Sequence, residues 1–244
     1  MRDVNIIFLL LALFAEVIGT IGGFGSSVFF VPLGNFYFDF YSVLGLTAIF
    51  HLSSNVSKIF LFNQGLDKQL LLRIGIPSVI FVILGGVLSK HVESGFLAVA
   101  LGVFLVGFSV LFLVKKSLVI APNKKNAILG GSFSGLSAGL LGTGGAIRGL
   151  TMAAFNLEKS VFIATSAFID LMIDFSRTIV YYNNGYIHME QMYYVPYLFA
   201  IGLLGSFLGK KILVHIPQSK FRQLSLVFIL LIGLVTVFQL VVKI

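Results

Sequence analysis

Arg148 stands inside the apolar run 127–155, where a charged side chain costs roughly 2.5 to 3.5 kcal/mol on membrane-insertion scales. A cation at that depth needs a counterpart. Two are open to it: an anion held by its planar fork of N–H donors, or a carboxylate of the chain itself, Asp170 or Asp174. Snorkelling towards the membrane surface is the third reading. Asp170, Asp174 and Arg177 recur at i, i+4 and i+7, as do His51, Asn55 and Lys58, so each set lines one helix face. Lys58 and Arg177 are read as snorkelling to the interface. His51, Asp170 and Asp174 lie deeper, where an ionisable group is a functional candidate, either as a proton carrier or in an internal ion pair; Glu16 is of the same kind. These five positions, His51, Asn55, Asp170, Asp174 and Arg177, form the expected coupling or ion-pair set. Asp174 is the foremost coupling candidate, because its counterpart in the other half of the chain is the uncharged Asn55.

Glycines supply the second kind of chemistry. Gly19, Gly22 and Gly25 share a G-x-x-G-x-x-G spacing with Gly139, Gly142 and Gly145, each triplet inside an apolar stretch. Glycine permits positive φ and close backbone approach, and a half-helix restarting beyond such a turn presents free N–H groups and a positive dipole end. That terminus attracts anions, and Ser26, Ser27 and Thr143 add hydroxyl donors beside it. The expected substrate-binding set is therefore Gly22, Gly23, Phe24, Gly25, Ser26, Ser27, Gly142, Thr143, Gly144, Gly145 and Arg148. Helix packing is the competing reading of any one triplet; two triplets at matched positions favour broken helices at a binding site.

The elements that hold these residues are membrane helices. The 244 residues are 58% hydrophobic and 11% charged, with a mean hydropathy of +1.04. Apolar segments run at 6–33, 40–62, 70–89, 96–114, 127–155, 160–182, 191–214 and 223–242, each near or above the roughly 20 residues that cross a bilayer. The fold expected is all-α and polytopic. A cleaved leader competes for 6–15, but that segment has a counterpart at 127–141, which a leader would not. The net charge of +8 is gathered in short loops, as the positive-inside rule requires; no basic soluble face marks nucleic-acid binding. With no Cys and four scattered His, thiolate chemistry and a metal site are not expected, nor is a cofactor.

The polar stretch 115–126 separates four apolar segments from four, giving a first transmembrane repeat at 1–114, a basic cytoplasmic linker at 115–126 and a second repeat at 127–244. Polar residues repeat in register. At an offset of 120, Gly85 meets Gly205 and Lys90 meets Lys210; at 119, Thr47 meets Ser166, His51 meets Asp170, Asn55 meets Asp174, Lys58 meets Arg177 and Pro77 meets Pro196. Arg148 meets Val28, so the repeat itself does not require the cation. Equivalent loops carry opposite charge bias: Lys68 and Arg73 answer a loop at 183–190 without Lys or Arg, and Lys90 answers Lys210, Lys211, Lys220 and Arg222. Opposite bias is the mark of inverted repeats. Inversion requires an odd number of crossings per repeat, so each glycine-broken segment is expected to form a re-entrant hairpin, with the linker cytoplasmic and both termini outside. Eight plain crossings in parallel repeats are the alternative. Tyr181, Tyr182, Tyr186, Tyr193 and Tyr194 read as an interfacial aromatic belt, and Pro32, Pro77 and Pro196 as kink sites.

The segment from Gly19 to Gly25 followed by Val31 and Pro32, together with the segment from Gly139 to Gly145, resembles the paired signature of the TauE/SafE sulfite exporter family. The resemblance extends over nearly the whole chain and departs where Thr151 and Met152 replace a proline common after the second hairpin. It implies a secondary transporter of small anions such as sulfite, sulfonates or sulfoacetate in the bacterial cytoplasmic membrane. On that reading the partners are a small anionic substrate and the lipid bilayer, and no oligomeric state is assigned. No G-x-x-x-x-G-K-[ST] motif is present, so protons or membrane potential are the expected energy source. The rival classes are an anion channel with aquaporin-like paired half-helices and, more remotely, an intramembrane enzyme using Asp170 and Asp174.

Overall fold

The computed structural model describes residues 4–23, 25–114, 120–217, 227, 230, 231 and 233–238. Phe24, most of the segment 223–242 and the first part of the linker lie outside the described residues. Helix α1 (Ile6–Gly22) starts where the Asn5 side chain accepts from Phe8 N–H at 3.1 Å. It stops at Gly23, whose φ of 68° is left-handed and whose N–H returns to Gly19 C=O. The chain restarts as the 8-residue α2 (Ser27–Gly34), then α3 (Phe40–Leu61). Helix α4 (Lys68–Ser89) is capped by Asp67, and α5 is Ser94–Val114. The second half begins with α6 (Lys124–Leu141), capped by Asn123, so the last residues of the expected linker already belong to a helix. Gly142, with φ 75° and its N–H on Ala138 C=O, ends α6 as Gly23 ends α1. Then follow α7 (Gly145–Ala153), α8 (Lys159–Asn183) and α9 (Met189–Leu213). Each of the segments 6–33 and 127–155 is thus two helices. A left-handed residue next to a helix end is where glycine carries no Cβ penalty.

Helices α3, α4, α5 and α9 contain stretches long and apolar enough to cross a membrane, with mean hydropathy 1.2, 2.2, 2.3 and 1.4. Helix α8 matches them in length but carries Asp170, Asp174 and Arg177. The distribution of polarity is the reverse of a soluble domain. On α4, Leu72, Ile76, Ile80 and Leu84 form an exposed i, i+4 stripe, while Glu16, Lys58, Arg148, Asp174 and Arg177 are buried. Aliphatic outside and charged inside is stable only against lipid, and the chain is an all-α, polytopic membrane protein.

Helices α3 and α8 pack together at the centre; α1 packs on α9, and α6 on α4. The α4–α6 contact depends on a stripe the sequence reading did not isolate. Gly131, Gly135 and Gly139, four apart on α6, sit directly on the carbonyl oxygens of Ile74, Ser78 and Val82, where a Cβ would collide. Gly139 is therefore a packing residue inside a helix, and the turn itself belongs to Gly142. This correction follows from small residues letting membrane helices approach closely. Pro77 follows a π turn at Leu71–Gly75, and Pro196 follows a 3₁₀ turn at Met189–Tyr194. Proline cannot accommodate the carbonyl four residues earlier, and one helix answers by widening, the other by tightening.

The expected tyrosine belt is corrected too. Tyr181 is buried, its hydroxyl donating to the Ala138 and Gly139 carbonyls at 3.0 and 2.9 Å. Tyr186 stacks on Tyr41, and the Tyr194 hydroxyl accepts from Asn5 N–H. Tyr182 remains exposed.

Candidate functional site

The polar centre lies where α1, α2, α3, α7, α8 and α9 meet. Glu16 on α1 is fully buried, and four hydroxyls converge on it. Thr20, Ser54 and Ser206 donate to Oε1 at 3.2, 2.7 and 2.9 Å, and Ser26 donates to Oε2. Lys58 Nζ lies 2.8 Å from Oε1 and donates to Ser54 Oγ at 2.8 Å. A carboxylate so surrounded has its lone pairs satisfied, the condition under which a buried ion pair is tolerated. Lys58 does not snorkel; it is 5% exposed.

Across the α3–α8 contact the charges continue. His51 Nε2 is 3.0 Å from Ser26 Oγ, and its Nδ1 is 3.8 Å from Asp174 Oδ2. Asn55 Nδ2 donates to the same Asp174 oxygen at 2.6 Å. Arg177 Nε is 2.7 Å from Asp174 Oδ1, and its NH1 donates to Gly142 C=O at 2.6 Å. Arg177 is thus buried and holds the residue that ends α6, not the interface. The equivalence of Lys58 and Arg177 in spacing carries through to the structure in one respect: each neutralises a buried carboxylate.

Arg148, 1% exposed, grips Asp170 with both NH1 and NH2, while Nε donates to Ser166 Oγ at 3.1 Å. Of the two carboxylates left open by the sequence, Asp170 is its partner. The α position of Gly25 faces this pair: a Cβ there would lie 3.5 Å from Asp170 Oδ2 and 3.8 Å from Arg148 NH2, and the φ of 83° excludes one in any case. Ser27 Oγ donates to Thr143 Oγ1 at 3.2 Å, which brings the starts of α2 and α7 together. Neither helix carries a side-chain N-cap hydrogen bond. Ser26 turns the other way, into the Glu16–His51 chain. Between the glycine turn and α8 lies a cavity of about 10 Å³, lined by Gly19, Gly23, Gly25, Lys58, Ser166 and Asp170 among others. That is room for about one water.

Six participants stood outside the two expected sets: Thr20, Ser54, Ser166 and Ser206, which contact buried charges, and the paired Glu16 and Lys58. Lys58 was visible through its i, i+4, i+7 spacing. Ser166 was visible through its register with Thr47; Ser54 and Ser206 had no signal beyond being hydroxyls in apolar helices. Among the described residues no group of His, Asp and Glu has the arrangement of a metal site.

A charged seam buried inside a lipid-facing helical shell is the setting in which membrane proteins place substrate and ion pathways. The sulfite exporter TauE/SafE family matches residues 8–236, and the chain belongs to that family. It is a multi-pass membrane transporter of small anions. A search of curated proteins finds no match.

Proposed function

We propose that the chain is a secondary transporter that moves sulfite, a sulfonate, sulfoacetate or a related organic anion across the cytoplasmic membrane by alternating access. The observation that carries this reading is the meeting of two uncapped helix N-termini, α2 and α7, through Ser27 and Thr143 beside the Arg148–Asp170 pair. Amide dipoles, hydroxyls and a guanidinium converge there, which is the donor set for an oxyanion. The cavity of about 10 Å³ has room for about one water, so an anion would enter only as it widens. Substrate would contact Gly22, Gly23, Gly25, Ser27, Gly142, Thr143, Gly144, Gly145 and Arg148, with Phe24 as a further candidate; His51, Asn55, Asp170, Asp174 and Arg177 would carry coupling.

Two inverted repeats, 1–114 and 127–244, form the moving parts in this proposal. Their support is the exchange of neighbours: α1 packs on α9 while α6 packs on α4, and α3 meets α8. First meets fourth across the halves, and third meets third, an exchange that repeats in either orientation would give; the inversion itself rests on the opposite charge bias of equivalent loops. α2 packs back on α1 and α7 on α6, a contact that re-entrant hairpins would need.

Paired half-helices also suit an anion channel, and flux kinetics separate the two. Purified protein in liposomes is expected to take up at least one of sulfite, methanesulfonate, sulfoacetate, taurine or a carboxylate saturably, with uptake accelerated by the same anion inside. Linear, unstimulated flux would establish the pore instead. For orientation, single cysteines at Lys124 and Asn184 have no background in a chain without Cys. An impermeant maleimide added to intact cells should label position 184 and spare 124; the opposite pattern overturns the topology.

A further inference from the structure

Ser26 has one hydroxyl proton, and it goes to Glu16 Oε2, because an ionised carboxylate beside Lys58 only accepts. Ser26 Oγ therefore faces His51 Nε2, 3.0 Å away, as an acceptor, and Nε2 must carry hydrogen. A neutral His51 then has its lone pair on Nδ1, and Nδ1 is 3.8 Å from Asp174 Oδ2. A lone pair turned towards a carboxylate is repulsive. A proton on Nδ1 converts the same contact into an ion pair, with Asn55 already holding the Asp174 oxygen in place.

With the carboxylates ionised in their ion pairs, the charges around His51 balance without that proton. Glu16 on α1 and Asp170 and Asp174 on α8 are negative; Lys58 on α3, Arg148 on α7 and Arg177 on α8 are positive. Helices α2 and α9 contribute the neutral hydroxyls of Ser26 and Ser206. An anion entering this sealed seam leaves one negative charge uncompensated, and in a water-poor interior such a charge is strongly disfavoured. We propose that His51 is the proton-binding site of the transporter: each monoanion enters with one proton, held on Nδ1 between Ser26 and Asp174. The inference rests on the transport reading above and adds the coupling ion, its ratio and its seat. Asp174 serves as the fixed counter-charge and not as the carrier.

The test uses full-length protein in liposomes with methanesulfonate, a monoanion that does not itself titrate near neutral pH, and a trapped pH dye. Wild type is expected to move one proton per anion and to accumulate methanesulfonate at least tenfold when the trans side is alkaline. His51→Gln retains a donor for Ser26 but binds no proton. Its methanesulfonate entry should therefore fall at least tenfold, and the residual flux should carry no proton and show no gradient-driven accumulation. Asp174→Asn, an independent variant, should shift the onset of proton movement by about one pH unit or more to the acid side. A wild-type proton ratio in His51→Gln, or an unshifted onset in Asp174→Asn, overturns the assignment and leaves anion transport standing. Wild-type liposomes that carry none of the five anions overturn the transport reading, and this inference with it.

Discussion

Arg148→Ala is expected to abolish anion uptake, lowering it at least a hundredfold in liposomes. Two effects add in this variant. The guanidinium leaves the mouth of the α2–α7 site, and Asp170, which it grips with two N–H groups, stays charged and unpaired. Breaking one side of a buried pair costs about 3 to 5 kcal/mol, so the single variant also melts earlier. The double variant Arg148→Ala/Asp170→Ala removes both charges and separates the effects: stability should return most of the way, and transport should not. Arg148→Lys should restore little, since a point charge replaces a planar fork that here serves Asp170 and Ser166 at once. Wild-type uptake by the double variant would reduce Arg148 to a structural residue.

The largest loss of stability is expected at Glu16→Ala. It strands the ammonium of Lys58 and leaves Thr20, Ser26, Ser54 and Ser206 without their common acceptor. At about 3 to 5 kcal/mol for a broken buried pair, the thermal midpoint in detergent should fall by about 10 °C. Glu16→Gln keeps the volume and one acceptor oxygen and should fall by roughly half as much. There is a second signature. Without the carboxylate, the Ser26 proton is free to turn to His51 Nε2, and the imidazole changes tautomer, which nitrogen NMR of labelled histidine resolves. A midpoint within about 2 °C of wild type in Glu16→Ala would show that this hub contributes no net stability.

Helix positions were legible because bilayer thickness imposes a length that composition reveals. The ends of α1 and α6 were legible because Gly23 and Gly142 must take positive φ, a requirement that a glycine inside a hydrophobic run advertises. Gly139 had the same residue type and spacing but lies flat against α4; one-dimensional spacing cannot separate a turn from a contact with a helix fifty residues away. The charged positions were legible by their cost, whereas their pairing was not. Arg148 could reach either aspartate on α8 by sequence, and only the approach of α7 selects Asp170. Glu16 and Lys58 read as separate groups because their contact depends on how α1 lies against α3. Ser54 and Ser206 carry no mark in the sequence, since a serine in a membrane helix satisfies its own hydroxyl by bonding to the preceding turn.

The glycine stripe on α6 has a mechanical consequence. Its backbone bears directly on the α4 carbonyls, with no side chains between them to change rotamer, so the two helices form one stiff plank. The contact of α1 with α9 is built differently: Gly205 and Gly209 receive the side chains of Glu16 and Thr20, which are bonded to each other and to the buried charge network. One flank is therefore backbone against backbone and the other side chain against backbone, and the second carries the buried charge. In the alternating-access proposal, sliding at that second flank would displace Glu16 and its partners together, so that displacement and rearrangement of charge would become a single event.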